Sequence, residues 1–213
     1  MIRLDHAAYI FDFDGTMINS LPLWRALDET YLKQHAIEVP EDLQRSIEGM
    51  NFFDCAGYFR QRFGITDPEE LIIAEWMAII HQQLIEHPLK EDVVRFLEQT
   101  DRRLAIATSN SRLIIEDVLA VNCLSDRFLS IVTSDEVGRS KPDPAVFLRA
   151  ASLLGTPPEA CAVFEDTEAG VLGAKRAGMT AVAVYDPSNP VWDQTVAIAD
   201  YAIVSFDEIL EES

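Results

Sequence analysis

Short, unbroken apolar runs recur along the chain at Ala7–Phe11, Leu104–Ala107, Ser130–Thr133, Ala162–Phe164, Ala181–Val184 and Ala202–Val204. Runs of this length without polar alternation read as strands buried on both faces, and such burial belongs to parallel sheets covered by helices. Helical patterns fill the intervals. Ser111–Ala120 carries Leu113, Ile114 and Val118 on one side, and Asp143–Leu154 opens with Asp143 as N-cap and Pro144 in the first turn. Glu168–Ala177 closes at Gly178, a helix-stop residue. Strands alternating with crossover helices predict an α/β fold, a Rossmann-like parallel sheet core with helices on both faces.

The first run is separated from the second by about ninety residues with no strand pattern. That stretch reads as helices: Pro22–Gln34, with Leu21, Trp24, Leu27 and Tyr31 at helical spacing, then Phe52–Phe63 and Pro68–Leu84. The expected organisation is therefore a helical-bundle cap at 17–87 inserted into a core built from 1–16 and 88–213. Apolar residues of the insert, Trp76 and Met77 among them, belong to a bundle interior rather than a cofactor box.

Residues able to do chemistry stand at the ends of the predicted strands, where open α/β sheets bind ligands. Asp12 and Asp14, in Phe11-Asp-Phe-Asp-Gly-Thr16, are two apart and so emerge on the same side. Carboxylates that close repel, and a shared divalent cation relieves the repulsion. Gly15 lets the chain turn sharply behind them. Ala107-Thr-Ser-Asn110 brings a hydroxyl and backbone N–H groups to the start of a helix. Lys141, one of four lysines, sits in the Pro-stiffened Ser140-Lys-Pro-Asp-Pro144, and Glu165-Asp166 ends another strand with two acids. Taken singly, each has a plainer reading as a strand-end acid, a helix cap or a solvated lysine. Four in series on one sheet suit phosphoryl transfer, with a carboxylate nucleophile, a second acid as proton shuttle, a lysine charge clamp and a Mg²⁺ site.

With these motifs in order (Asp12-Phe-Asp-Gly-Thr16, Thr108, Lys141-Pro142 and Glu165-Asp166 followed by Gly170) the sequence resembles the haloacid dehalogenase-like hydrolases. It is most similar to their helical-cap branch, which contains phosphoglycolate phosphatases, sugar phosphatases and β-phosphoglucomutases. The resemblance implies that Asp12 attacks phosphorus to form an aspartyl-phosphate. Asp14 would protonate the leaving oxygen and then activate water, its backbone carbonyl serving as a metal ligand. Thr108, with N–H groups near Ser109 and Asn110, would bind the phosphoryl group, and Lys141 would neutralise charge beside Asp12. Asp12, Asp14, Asp166 and Glu165 would form the Mg²⁺ site, Glu165 directly or one step behind. Two departures stand out. Asn19 replaces a common Asp, and His87-Pro-Leu-Lys90 replaces the Pro-Gly at which relatives return to the core.

Asp14 argues against the metal-free dehalogenases and against phosphonatases, which lack that acid. By spacing, Trp24 and Phe52 fall where the mutases carry a cap histidine and arginine, so a phosphatase is expected over a mutase. Glu48, Asn51 and Trp24, with Met50, are the expected cap contacts to the leaving group, which suits a small sugar or polyol monophosphate. A response-regulator receiver is disfavoured by its adjacent acid pair and shorter chain, and a non-catalytic binding protein by the complete set of motif residues.

Net charge bounds the partners. Seventeen Lys and Arg against 36 Asp and Glu give −19, which opposes nucleic acid and anionic membrane surfaces. No window approaches the roughly 20 apolar residues of a membrane helix, and the densest, Leu71–Ile80, carries Glu75. Cys55, Cys123 and Cys161 are scattered and odd in number, which points to a reducing compartment. A cytoplasmic protein acting on a small phosphate ester, with a monomer favoured, is the expectation.

Overall fold

The computed structural model describes residues 1–211. In chain order, β1 (Ile2–Leu4) and β2 (Ala8–Phe11) are followed by helices α1 (Leu21–Gln34), α2 (Leu43–Ile47), α3 (Phe52–Phe63), α4 (Glu69–Glu86) and α5 (Glu91–Gln99). Then come β3 (Arg103–Thr108), α6 (Arg112–Val121), β4 (Ser130–Thr133), α7 (Ser134–Val137) and α8 (Ala145–Leu154). The chain continues through β5 (Cys161–Glu165), α9 (Glu168–Arg176), β6 (Thr180–Val184), α10 (Trp192–Ile198), β7 (Tyr201–Ile203) and β8 (Ile209–Glu211).

The main sheet has the order β4-β3-β2-β5-β6-β7 and is parallel throughout. Each apolar run of the sequence is one of its strands. Because successive side chains alternate, β2 sends Tyr9 and Phe11 to one face and Ala8 and Ile10 to the other, and two separate cores form. On the first face Phe11 stacks on Phe164 at 4.9 Å and on Phe206 at 5.9 Å. The second face is built from small residues, Ala105, Ala107, Ala181 and Ala183, over which α8 and α9 pack closely. Helix α8 begins at Ala145 with Pro144 as its cap; Asp143 contributes from one residue further out, its carboxylate accepting from the Ala145 N–H at 3.0 Å.

Chain order runs outward from β2 to β3 and β4, then returns to β5 on the other side of β2. The carboxyl ends of β2, β3 and β5 thus converge at the point where the winding direction reverses, the place such sheets bind ligands. Over these ends stands the helical-bundle cap inserted after β2. Its interior is aromatic: Trp76 meets Phe59 at 5.0 Å and Tyr31 at 5.6 Å, both edge-on, a geometry aromatic pairs favour. Ile18 bridges Leu89 antiparallel, so the segments leaving and re-entering the core lie side by side. A small parallel pair, β1 with β8, ties the two ends of the described chain together.

Candidate active site

Asp12 follows β2 directly, and its N–H continues the ladder by donating to the Phe164 carbonyl at 2.9 Å. The side chain is buried, and Lys141 Nζ donates to its Oδ1 at 2.5 Å and to Glu165 Oε1 at 2.6 Å. Lys141 is itself only 5% exposed. Two flanking carboxylates outweigh the loss of water and hold the Lys141 ammonium firmly protonated. Burial pushes the Asp12 carboxyl upward, Lys141 pulls it back, and Glu165 adds to the rise.

Asp12, Glu165 and Asp166 bring carboxylate oxygens within 4.8 Å of one another. Three buried acids share the Lys141 ammonium, with Lys90 acting on Asp166 from further off, an excess of negative charge that a divalent cation offsets. Asp166 is fully buried and its Oδ2 has no partner among the described residues, while its carboxyl is pushed well up by burial and by Glu165. Gly15 adopts φ +80°, and a Cβ there would overlap that same Oδ2, so the glycine keeps the acceptor clear. The site fits Mg²⁺ through Asp12 and Asp166. Glu165, the third acid of the cluster, is also engaged within the protein: Oε1 accepts from Lys141, and Oε2 accepts from Thr167 N–H at 2.8 Å and Thr167 Oγ1 at 2.9 Å. These bonds hold the Lys141 ammonium beside Asp12.

Asp14 points away from this cluster toward the cap. Its Oδ1 accepts from Ser20 Oγ and from the Trp24 indole N–H, both at 2.6 Å, and its Oδ2 from Asn110 Nδ2 at 2.8 Å. Burial raises its carboxyl above the ordinary range, with Ser20, Trp24 and Asn110 opposing the rise. A carboxyl that burial makes hold its proton more tightly is suited to act as a general acid. Thr108, at the end of β3, is buried, and its Oγ1 accepts from the Asn110 N–H at 3.0 Å. Asn110 therefore spends its amide on Asp14 and its backbone N–H on Thr108. Ser109 Oγ donates to the Gly49 carbonyl at 3.2 Å.

The cap residues expected to touch substrate line the same cavity as Asp12, Thr108 and Lys141, about 220 Å³ in volume. Several of their polar atoms already bond within the protein. Trp24 gives its N–H to Asp14 and packs on Phe52. Glu48 Oε1 accepts from the Ala169 N–H at 3.1 Å. Asn51 caps α3 by accepting from Asp54 N–H at 2.8 Å, while its own N–H donates to Ser140 Oγ at 2.8 Å. These bonds seat the cap loop on the core. Ser20, Ser140 and Asp28 were not legible as site residues. Of these, Asp28 had a signal: it lies four residues after Trp24 and three before Tyr31, an acid on the apolar face of α1.

The Haloacid dehalogenase-like hydrolase family model matches residues 9–184. The chain belongs to the haloacid dehalogenase-like hydrolases. Protein CbbY of Rhodobacter capsulatus is 30% identical to this hydrolase over 211 residues, covering 92% of each chain. The phosphorylated carbohydrates phosphatase of Thermotoga maritima is 31% identical over 180 residues, 81% of this chain and 82% of its own. Hexitol phosphatase B of Escherichia coli is 26% identical over 95% of this chain and 93% of its own. CbbY from Rhodobacter sphaeroides, solved in complex with xylulose-(1,5)bisphosphate, shares the fold with a TM-score of 0.85 at 20% identity over 97% of both chains. This haloacid dehalogenase-like hydrolase is thus an enzyme of the phosphatase and phosphomutase group that handles small phosphate esters.

Proposed function

We propose that the protein is a Mg²⁺-dependent phosphatase hydrolysing a small sugar or polyol phosphate monoester through an aspartyl-phosphate on Asp12. The observation that carries this is the division of labour between two acids: Asp12 is clamped by Lys141 beside the acid cluster, and Asp14 faces the cap with three donors. Asp12 attacks phosphorus, and the ester oxygen leaves with the proton of Asp14. Asp14, now ionised, takes a proton from the water that opens the acyl phosphate. Thr108 and the N–H of Ser109 bind the phosphoryl oxygens, and Lys141 offsets the charge between them and Asp12. Asp12 and Asp166, with the backbone carbonyl of Asp14, would hold Mg²⁺, which when bound would supply charge neutralisation to the transferring group.

Hydrolysis is favoured over mutase chemistry because the interior of the cap carries an acid, Asp28, in place of a cation. Arg25 and Arg45 do line the cavity, but both are exposed at its rim; they are what sustains a phosphosugar mutase as the second reading. The names of two relatives, a phosphatase of phosphorylated carbohydrates and a hexitol phosphatase, support a polyhydroxylated leaving group. Three free thiols support a reducing, cytoplasmic setting.

Phosphate release from hexose, polyol, gluconate and glycolate phosphates, with and without Mg²⁺, tests the proposal. Wild type should release phosphate only with metal, and Asp12→Asn should lose at least about a thousandfold in kcat. Interconversion of hexose phosphates by ³¹P NMR without net release would establish the mutase.

A further inference from the structure

The catalytic arrangement above makes no use of Asp28. It sits on α1 in the wall of the active-site cavity, 6% exposed. Its Oδ2 accepts from Gln44 Nε2 of α2 at 2.8 Å. Among the described residues no donor reaches Oδ1, and no lysine or arginine pairs with the carboxylate. Burying a carboxylate half-satisfied is unfavourable, and nothing in the packing of the cap requires it: Leu27, Tyr31 and Leu32 already anchor α1 in the bundle. Glu29, next along α1, adds negative charge, and the neighbours facing the cavity beside Asp28 are apolar or neutral. Trp76 lines the same cavity, its indole N–H buried without a partner. Cys55 also lines it, and burial together with Asp28 keeps that thiol neutral.

We infer that Asp28, oriented by Gln44, is a specificity-determining residue that accepts a hydrogen bond from a hydroxyl of the leaving group; this rests on the phosphatase reading. The charges around it select among ligands. An anionic end, whether carboxylate or second phosphate, would meet a buried carboxylate with no cation beside it. An ammonium would have to pass Arg25 and Arg45 at the rim. A neutral hydroxyl meets neither obstacle, donates to Oδ1, and can accept from a neighbouring N–H. Trp24 and Asp28 share one face of α1 one turn apart, so the residue that contacts Asp14 and the residue that reads the hydroxyl move as a unit with the cap. The substrate class is accordingly a polyol or sugar carrying one phosphate and a free hydroxyl at the end that enters the cap.

The experiment compares kcat/KM for a polyol phosphate, the same chain with its distal hydroxyl removed, the same chain ending in a carboxylate, and ethyl phosphate. Wild type should prefer the polyol over its deoxy and carboxylate counterparts by about 10- to 100-fold, the range of one charge-assisted hydrogen bond. Asp28→Asn should collapse the polyol-to-deoxy ratio to within about threefold and narrow the gap to the carboxylate ester. Equal use of polyol and deoxy esters by wild type would overturn the inference, with or without a folded variant. So would a ratio in Asp28→Asn that stays at the wild-type value while both rates fall. If wild type releases no phosphate from any of the four with Mg²⁺ present, the phosphatase reading itself falls, a result separate from either of those.

Discussion

Asp28 also has a thermodynamic signature that its packing alone would not leave. Burial pushes its carboxyl from the ordinary 3.8 up to about 6, with the Gln44 hydrogen bond opposing the rise. The folded protein therefore holds this proton more tightly than the unfolded chain does. The stability linked to the group is fully present below about pH 4 and declines as pH rises to about 6. Above that it stays flat, lower by roughly 2–3 kcal/mol. Asp28→Asn, which keeps the shape and removes the charge, should raise Tm at pH 8 and leave it nearly unchanged at pH 4. In a chain of this length each kcal/mol moves Tm by about 2–4 °C. A lower Tm at pH 8 would show that the ionised carboxylate stabilises the cap. Loss of hydroxyl selectivity together with a gain in stability is the pattern expected when a residue is kept for function. The motif acids were legible because two carboxylates at a strand end have few structural uses. Asp28 was not: its spacing from Trp24 and Tyr31 puts it on the apolar face of α1, but a lone acid there has no partner residue or motif beside it to mark it as part of a site.

Among elements, the segment between α2 and α3 seats the cap on the core. Glu48, Gly49 and Asn51 each bond to the core, at Ala169, Ser109 and Ser140. Gly49 makes this possible: its φ is +75°, and a Cβ would lie 2.9 Å from Ala169 Cβ and 3.1 Å from the Lys141 carbonyl. Gly49→Ala should lift the cap loop off α9 and admit water and bulk dielectric around Asp14. The expected result is a fall in kcat/KM of about tenfold or more with a Tm change of only a few degrees. Unchanged kcat/KM would mean that closure does not depend on this contact. The strands of the sheet and the long cap helices could be found from periodicity, because each buries a continuous run or stripe. Three-residue β1 and β8 and five-residue α2 could not. They are too short to carry a period and owe their form to tertiary partners. Gln44, which orients Asp28, sits on α2 and was missed with it.

On the scale of the whole molecule, charge sets how a substrate arrives. A phosphate monoester is close to a dianion near neutral pH and approaches a chain of net charge −19. The cations available to it are Lys141 deep in the site and Arg25 and Arg45 at the rim. At 0.01 M ionic strength the Debye length is about 30 Å, and the substrate feels the field of the whole surface. At 0.15 M it is about 8 Å, and only the local cations act. Added salt should therefore raise kcat/KM for a polyol monophosphate across this range at fixed Mg²⁺ activity, the reverse of an enzyme that steers anions to itself. Arg25→Gln combined with Arg45→Gln should steepen the rise, because the local attraction that offsets the global repulsion is gone. A fall in kcat/KM with salt would mean that the rim arginines govern encounter despite the surrounding acids. In that case the rim would be a phosphate-recruiting site, and the mutase reading would gain the second anion clamp it lacks.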